Sequence, residues 1–188
     1  MSRPNRDRVF VDTATLYPIS VADLVLRLAE LGVFELLWSD DLLAEVERVL
    51  IDHKGLLPQK AHYFCDCIRL TFPGGRIAPE KYQDLVMSRR GPDPGDHVHS
   101  AAAVAGEATI VLTADKTGYP SDDIAPARRR DPDAYLTELL RRYPTDVLGV
   151  VDDMGSSLRQ PRSRRQVLEQ LRKAGLTRFA VRATKRTT

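Results

Sequence analysis

Cysteine is almost missing from this 188-residue chain, and the two present, Cys65 and Cys67, stand two positions apart in a stretch that reads as helix. Side chains so spaced point about 200° apart, so they cannot pair, and no disulfide framework follows. A zinc centre would need further Cys or His at ligand spacing; His62 alone nearby does not supply it, and both thiols are expected to be packing residues. No apolar run approaches the roughly 20 residues that cross a bilayer. The N-terminus, MSRPNRDRVFVD, passes at once into a strand-like run without the apolar core and small-residue cleavage site of a signal peptide, so the expected compartment is the cytoplasm. Neither GxGxxG nor GxxxxGK[ST] occurs, which removes support for dinucleotide or nucleoside-triphosphate chemistry. With 11 Gly and 12 Pro, the chain is also too poor in turn residues to be low-complexity or collagen-like.

What the chain does contain, 43% hydrophobic and 29% charged residues, suffices for one full core and a small second one. Its net charge of +2 hides a gradient. Residues 1–120 carry 13 basic and 17 acidic side chains, whereas residues 121–188 carry 15 and 9. From Arg159 to Arg186 ten basic residues face a single acid, Glu169. Such a stretch attracts phosphate backbones or an acidic partner, although a solvated helix face has the same composition.

The pattern along the chain is α/β. RVFVD (8–12) is a β-branched and aromatic run; a helix with Leu24, Leu28 and Leu31 follows and stops at Gly32. FELLWS (34–39) reads as extended. Ser39, Asp40 and Asp41 offer caps for a helix with Leu42, Leu43, Val46, Val49 and Leu50 on one stripe. Pro58 opens a helix to about Thr71, ended by Pro73, Gly74 and Gly75, and a short helix is expected around 79–87. The loop RRGPDPGD precedes an Ala-rich helix (96–108), and TIVLT (109–113) reads as a buried parallel strand. Strands alternating with helices predict a parallel sheet with helices on both faces, whose sites form at the carboxyl ends of the strands. After about Pro126 the alternation is expected to stop. Stretches 131–142, 144–158 and 163–183, marked off by Pro144, Pro161 and Gly175, predict a small all-helical extension, dividing the chain into domains 1–130 and 131–188.

Four acids stand where a solvated charge is not the default. Asp12 ends the first strand. Glu45 lies at the border of its helix's apolar stripe. Asp96 opens the Ala-rich helix, and Asp115 follows TIVLT. Singly, each has an ordinary role: Asp96 suits a helix N-terminus, worth roughly 0.3–1 kcal/mol; Asp115 caps a turn; Glu45 decorates a surface. Jointly they differ. Brought within about 5 Å, each ionised pair repels by about 3 kcal/mol at an effective dielectric of 20, so four need a cation. Carboxylate oxygens select Mg²⁺ or Mn²⁺, and a hard ion so placed suits hydrolysis of a phosphodiester without a Ser or Cys nucleophile.

VFVDTATLYP, SDDLLAEVERVL, PDPGDHVHSAAAVAG and IVLTADKTGYP together resemble PIN-domain ribonucleases, in particular VapC-type toxins of toxin–antitoxin operons, over residues 8–126. The region from DPDAYLTELLRRYP onward, with AGLTRFAVR, resembles the helical C-terminal extension of a subset of these toxins. The resemblance implies a PIN-like fold. It implies that Asp12 and Asp96 are principal ligands of Mg²⁺ or Mn²⁺, with Glu45 and Asp115 holding waters or helping to activate the nucleophile. It also implies RNA as substrate, a VapB-type antitoxin that occludes the site, and a homodimer. Thr113 matches a family threonine before the fourth acid. Many relatives read Thr, any residue, Asn, two residues, Asp, Phe; here the Asn position is Asp115 and the Asp-Phe pair is Gly118-Tyr119.

Around the acids, His99 and Ser100 fall within about 60° of Asp96 on the helix, as supporting donors or as structural residues, whereas His97 points about 100° away. His53 is assigned to a loop. Trp38 and Tyr17 are base-stacking candidates, although a lone aromatic beside apolar residues more often belongs to the core. Arg162, Arg164 and Arg165 are the expected RNA-binding residues, guiding a backbone to a pocket whose acids repel it. Two other functions compete. One is a non-catalytic RNA-binding module on a degenerate PIN fold. The other is a haloacid-dehalogenase-type phosphatase, which needs an acid two residues after its nucleophilic Asp; position 14 is Ala.

Overall fold

The computed structural model describes residues 6–186. The start of the N-terminal segment read above for a signal peptide, residues 1–5, lies outside the described residues, as do Thr187 and Thr188. Five parallel strands form one sheet in the order β3-β2-β1-β4-β5: β1 Arg8–Val11, β2 Glu35–Ser39, β3 Arg76–Ile77, β4 Ile110–Leu112 and β5 Arg128–Arg130. Register pairs Phe10 with Leu37 on one side and with Val111 on the other. The chain winds from β1 out to β3, then returns to the far side of β1 as β4. The carboxyl ends of β1 and β4 thus flank the point where the winding reverses, where α/β sheets open a crevice.

Helices cover the sheet. α1 (Thr13–Leu16) and α2 (Ile19–Glu30) follow β1; α3 (Asp40–Asp52) and α4 (Pro58–Thr71) pack on each other after β2; α5 (Gln83–Val86) and α6 (Gly95–Ala105) precede β4; α7 (Ser121–Ile124) precedes β5. Single 3₁₀ turns occupy Pro73–Gly75 and Pro79–Lys81. Local chemistry sets these ends. The Ser39 hydroxyl accepts the Leu42 N–H at 3.2 Å to start α3, and Pro58 opens α4 where its missing N–H costs nothing. Gly32, at φ +67°, lets the chain turn away from α2. Val9, Phe10, Val11, Leu36, Leu37, Val111 and Leu112 are buried, as expected of strands covered on both faces. Cys65 is a free buried thiol whose Sγ reaches the Leu43 carbonyl at 3.4 Å, and Cys67 is free as well.

A helical extension follows: α8 (Pro132–Arg142), α9 (Pro144–Ser156), α10 (Arg164–Lys173) and α11 (Thr177–Lys185). α9 packs on α2, and the Phe34 and Tyr135 rings meet edge to face at 5.9 Å. The Tyr135 hydroxyl donates to Asp7 at 3.1 Å, so α8 is fastened near the amino end of β1. Asp133 of α8 caps α11 from outside, accepting the N–H groups of Arg178 at 2.9 Å and Phe179 at 2.8 Å. One set of buried apolar residues runs through both regions, from Val9 to Leu171 and Phe179.

Three expectations are corrected. Alternation does not stop at Pro126, because Arg128–Arg130 forms an edge strand paired with Ile110–Leu112. An edge strand is held by backbone bonds and carries no apolar signature, so three arginines conceal it. Residues 163–183 are two helices, broken at Gly175, whose φ of +105° no helix tolerates. The segment around 79–87 is a 3₁₀ turn and a single α turn.

Candidate active site

The carboxyl ends of β1 and β4 open into a cleft of about 430 Å³, lined by Asp12, Glu45, Asp96 and Asp115 together with Thr13, Tyr17 and His53. Four residues separated by up to 103 positions in sequence therefore share one wall system, brought there by a strand end, two helices and a loop.

Asp12 extends the ladder of β1 by one bond, its N–H donating to the Leu112 carbonyl at 3.0 Å, and it begins α1 as the N-cap. With 5% of its surface exposed, its carboxylate is served by buried hydroxyls. Thr113 Oγ1 donates to Oδ2 and the Tyr119 hydroxyl to Oδ1, each at 2.6 Å. Burial, and then the neighbouring Asp12, pushes the Tyr119 phenol well above its ordinary value, so it stays a donor. Thr113 also accepts the Asp115 N–H at 2.9 Å, linking the first and fourth acids through one hydroxyl.

Glu45 projects from α3 onto His99 of α6, with Oε2 and Nε2 2.5 Å apart. The His99 hydrogen bond holds Glu45 below the ordinary carboxylate range although burial opposes it. On His99 burial pulls the other way, but Glu45, with Asp12 and Asp96, raises the imidazole above its ordinary value. Its Nδ1 is buried without a hydrogen-bond partner. Asp96 sits in the first turn of α6. Burial first, then the charges of Asp12, Asp93 and Asp115, push it up to about 6. Asp115 is held the opposite way: its Oδ1 accepts the Thr117 N–H at 2.7 Å and the Thr117 hydroxyl at 3.0 Å, which lowers it below the ordinary range.

Among the described residues, no three His, Cys, Asp or Glu side chains are gathered as a ready-made metal site. Each acid but Asp96 is held by a neighbour: Asp12 accepts from Tyr119 and Thr113, Glu45 meets His99, and one oxygen of Asp115 accepts from Thr117. What converges is a pair. A Cβ on Gly118 would collide with Oδ2 of Asp96 and would lie 2.6 Å from Oδ2 of Asp115, so both carboxylates occupy the space a side chain there would fill. Gly118, where the resembled pattern carries an acid, leaves the room that Asp115 enters. Hard oxygen donors around an open cleft, with Asp96 raised by burial and then by its acidic neighbours, fit a divalent cation.

Ser100 is buried with its hydroxyl unpartnered, so it is not among the donors to the acids. Trp38 is a core residue, its Nε1 donating to the Phe72 carbonyl at 2.8 Å. Tyr17 lines the cleft beneath Lys54, whose Nζ lies 4.3 Å from the ring centre. Arg164 is paired with Asp152, and Arg162 Nη1 donates to Gln170 at 2.6 Å. Sequence reasoning missed the Tyr119 hydroxyl, His53 as a cleft residue and Arg129, which reaches the Lys116 carbonyl beside Asp115. Only Tyr119 left a trace, as a departure from the resembled Phe.

No helix among the described residues is long and apolar enough to cross a membrane. The family model described as PIN domain matches residues 8–117, and that described as VapC50 C-terminal domain matches residues 132–185. No curated protein and no solved structure matches the chain. With a parallel sheet that presents acids at its carboxyl edge and a separate run of helices behind it, the chain belongs to the PIN-domain family of metal-dependent nucleases and carries the C-terminal domain of VapC50, as a VapC-type toxin does.

Proposed function

We propose that this chain is a divalent-metal-dependent endoribonuclease, the toxin half of a type II toxin–antitoxin pair, in which Asp12, Glu45, Asp96 and Asp115 together hold Mg²⁺ or Mn²⁺. The convergence of Asp96 and Asp115 over Gly118, in one cleft with Asp12 and Glu45, is the observation that carries this reading. Asp12 and Asp96 are the proposed principal ligands, and Glu45 and Asp115 the residues that orient waters. An ion held there would offset the negative charge of a phosphodiester and make a water easier to deprotonate, so that it could attack as hydroxide near neutral pH. The chain's own residues do the rest. Thr113 and Tyr119 fix the plane of the Asp12 carboxylate, His99 turns Glu45 inward, and Thr117 anchors one Asp115 oxygen so that the other faces Asp96.

An acidic cleft repels RNA, so a cationic approach is needed. Arg162, Arg164 and Arg165 are the proposed guides, in a basic extension, 131–188, that follows a nuclease unit, 1–130. Tyr17 at the cleft wall, with Lys54 over its ring, suits an unpaired base and its phosphate. A VapB-type antitoxin and a second copy of the chain are the proposed protein partners. Asp12→Asn and Asp96→Asn should each abolish RNA cleavage by folded protein, as should EDTA; undiminished cleavage after Asp96→Asn removes that residue from the site. One observation favours a second reading, a non-catalytic RNA-binding module: among the described residues no three acids are preassembled. Calorimetric titration separates the two, since absence of Mn²⁺ binding with EDTA-insensitive RNA affinity supports the module.

A further inference from the structure

The segment that carries Asp96 is fastened by a residue outside the cleft lining. Asp123, in the single turn α7, is 5% exposed. Its Oδ2 accepts two backbone N–H groups from the loop ahead of α6, Arg90 at 2.7 Å and Gly91 at 2.6 Å, and its own carbonyl accepts Nη1 of Arg89 at 2.5 Å. Gly91 is wedged between these groups: a Cβ there would meet the Gly118 carbonyl at 3.2 Å and Pro120 Cδ at 3.4 Å. The Gly91 carbonyl in turn meets Nε2 of His97, in the first turn of α6, at 2.8 Å. Residues 89–91 are therefore tied to Asp123 on one side and, through the Gly91 carbonyl and His97, to the turn holding Asp96 on the other.

We infer that Asp123 is a positioning residue, which sets the separation of the Asp96 and Asp115 carboxylates by joining the loop before Asp96 to the segment after Asp115. The two carboxylates belong to separate segments, and neither contacts the other through a hydrogen bond that would fix their distance. Asp123 is what spans the gap: a buried carboxylate with two N–H donors makes strong, charge-assisted bonds that water does not replace. A purely local staple would contribute stability and nothing more. The inference rests on the metal reading above.

The test is calorimetric titration of Mn²⁺ into the full chain, wild type against Asp123→Ala, Asp123→Asn and Arg89→Ala, each shown to be folded by circular dichroism. Because ligand geometry must hold to about 0.5 Å, Asp123→Ala should weaken Mn²⁺ binding by about tenfold or more. Asp123→Asn, which keeps an acceptor oxygen in place, should lose only about threefold, and Arg89→Ala a similar factor. Asp133→Ala, a buried acid of the same kind in the helical extension, should lose stability with unchanged Mn²⁺ affinity. Should Asp123→Ala not fold, Asp123→Asn and Arg89→Ala decide the question. Affinities within about twofold of wild type in the folded variants overturn the inference while leaving the metal reading intact. Failure of the wild-type chain to bind Mn²⁺ overturns the metal reading, and this inference with it.

Discussion

Gly118→Ala tests the convergence of the acids with the smallest available change. The added methyl would stand 2.6 Å from Oδ2 of Asp115, with Asp96 Oδ2 closer still. Ordinary contact for such a methyl is about 3.4 Å or more, so each carboxylate must retreat by roughly 1 Å. Both atoms are the ends of flexible side chains, so the fold itself can accommodate the change. Gly118 is not among the positive-φ glycines, and alanine at a compatible position gains about 0.4–1 kcal/mol by restricting the unfolded chain. Net stability should therefore stay within about 1 kcal/mol of wild type. The site should not be so tolerant: a misplacement of about 1 Å in a functional constellation costs on the order of 10²-fold. Mn²⁺ affinity should fall by about 10- to 100-fold, or roughly 1.4–2.8 kcal/mol, and RNA cleavage should fall with it. Calorimetry gives the first quantity and thermal denaturation the second. A folded Gly118→Ala protein that binds Mn²⁺ as the wild type does would refute the argument that Asp96 and Asp115 form a working pair.

Asp96, pushed up to about 6, holds its proton more tightly in the folded than in the unfolded chain. Its ionised form therefore detracts from stability above about pH 6, and the loss is relieved as pH falls toward the ordinary carboxylate value. Asp96→Asn should raise the Tm of metal-free protein at about pH 7.5 and leave it unchanged near pH 4; equal Tm at both would contradict crowding of the acids. By the same linkage, Mn²⁺ affinity should weaken as pH drops through about 6, where the proton competes for Asp96. Asp133→Ala removes two backbone bonds to a charged cap of α11 and should cost about 2–4 kcal/mol, a Tm drop of about 4–16 °C; a loss under about 1 kcal/mol would show the cap to be idle. Replacing Arg162 and Arg165 by Glu should weaken RNA binding and lower its salt slope by about 2, and unchanged affinity at every salt concentration would assign the basic face to structure or to the antitoxin.

Elements with strong local signals were legible in sequence. Pro58 and the run Pro73-Gly74-Gly75 bracket α4, Ser39 starts α3, and the apolar runs at 8–12 and 109–113 become β1 and β4. The positions of Asp12 at the end of β1, Asp96 at the start of α6 and Asp115 after β4 follow from those elements, which is why the acids could be selected before their contacts were known. Long-range features were not legible. Arg128–Arg130 pairs as a strand through backbone groups that no side-chain pattern encodes. The Tyr119 hydroxyl reaches Asp12 across 107 positions, and Glu45 meets His99 across 54. Periodicity placed His99 and Ser100 equally near Asp96, yet only His99 engages an acid, because Ser100 faces the packed interior. Nor did any signal indicate Asp123, whose partners are main-chain N–H groups.

The claim on which the account stands is that these acids together take one hard cation. A crystal grown with Mn²⁺ measures this directly, through the anomalous peak of the ion. The account predicts a peak in the cleft with oxygens of Asp12 and Asp96 within about 2.5 Å and Glu45 and Asp115 bound directly or through water. A peak elsewhere, or none in a crystal of the intact wild-type chain soaked to saturation, would contradict it.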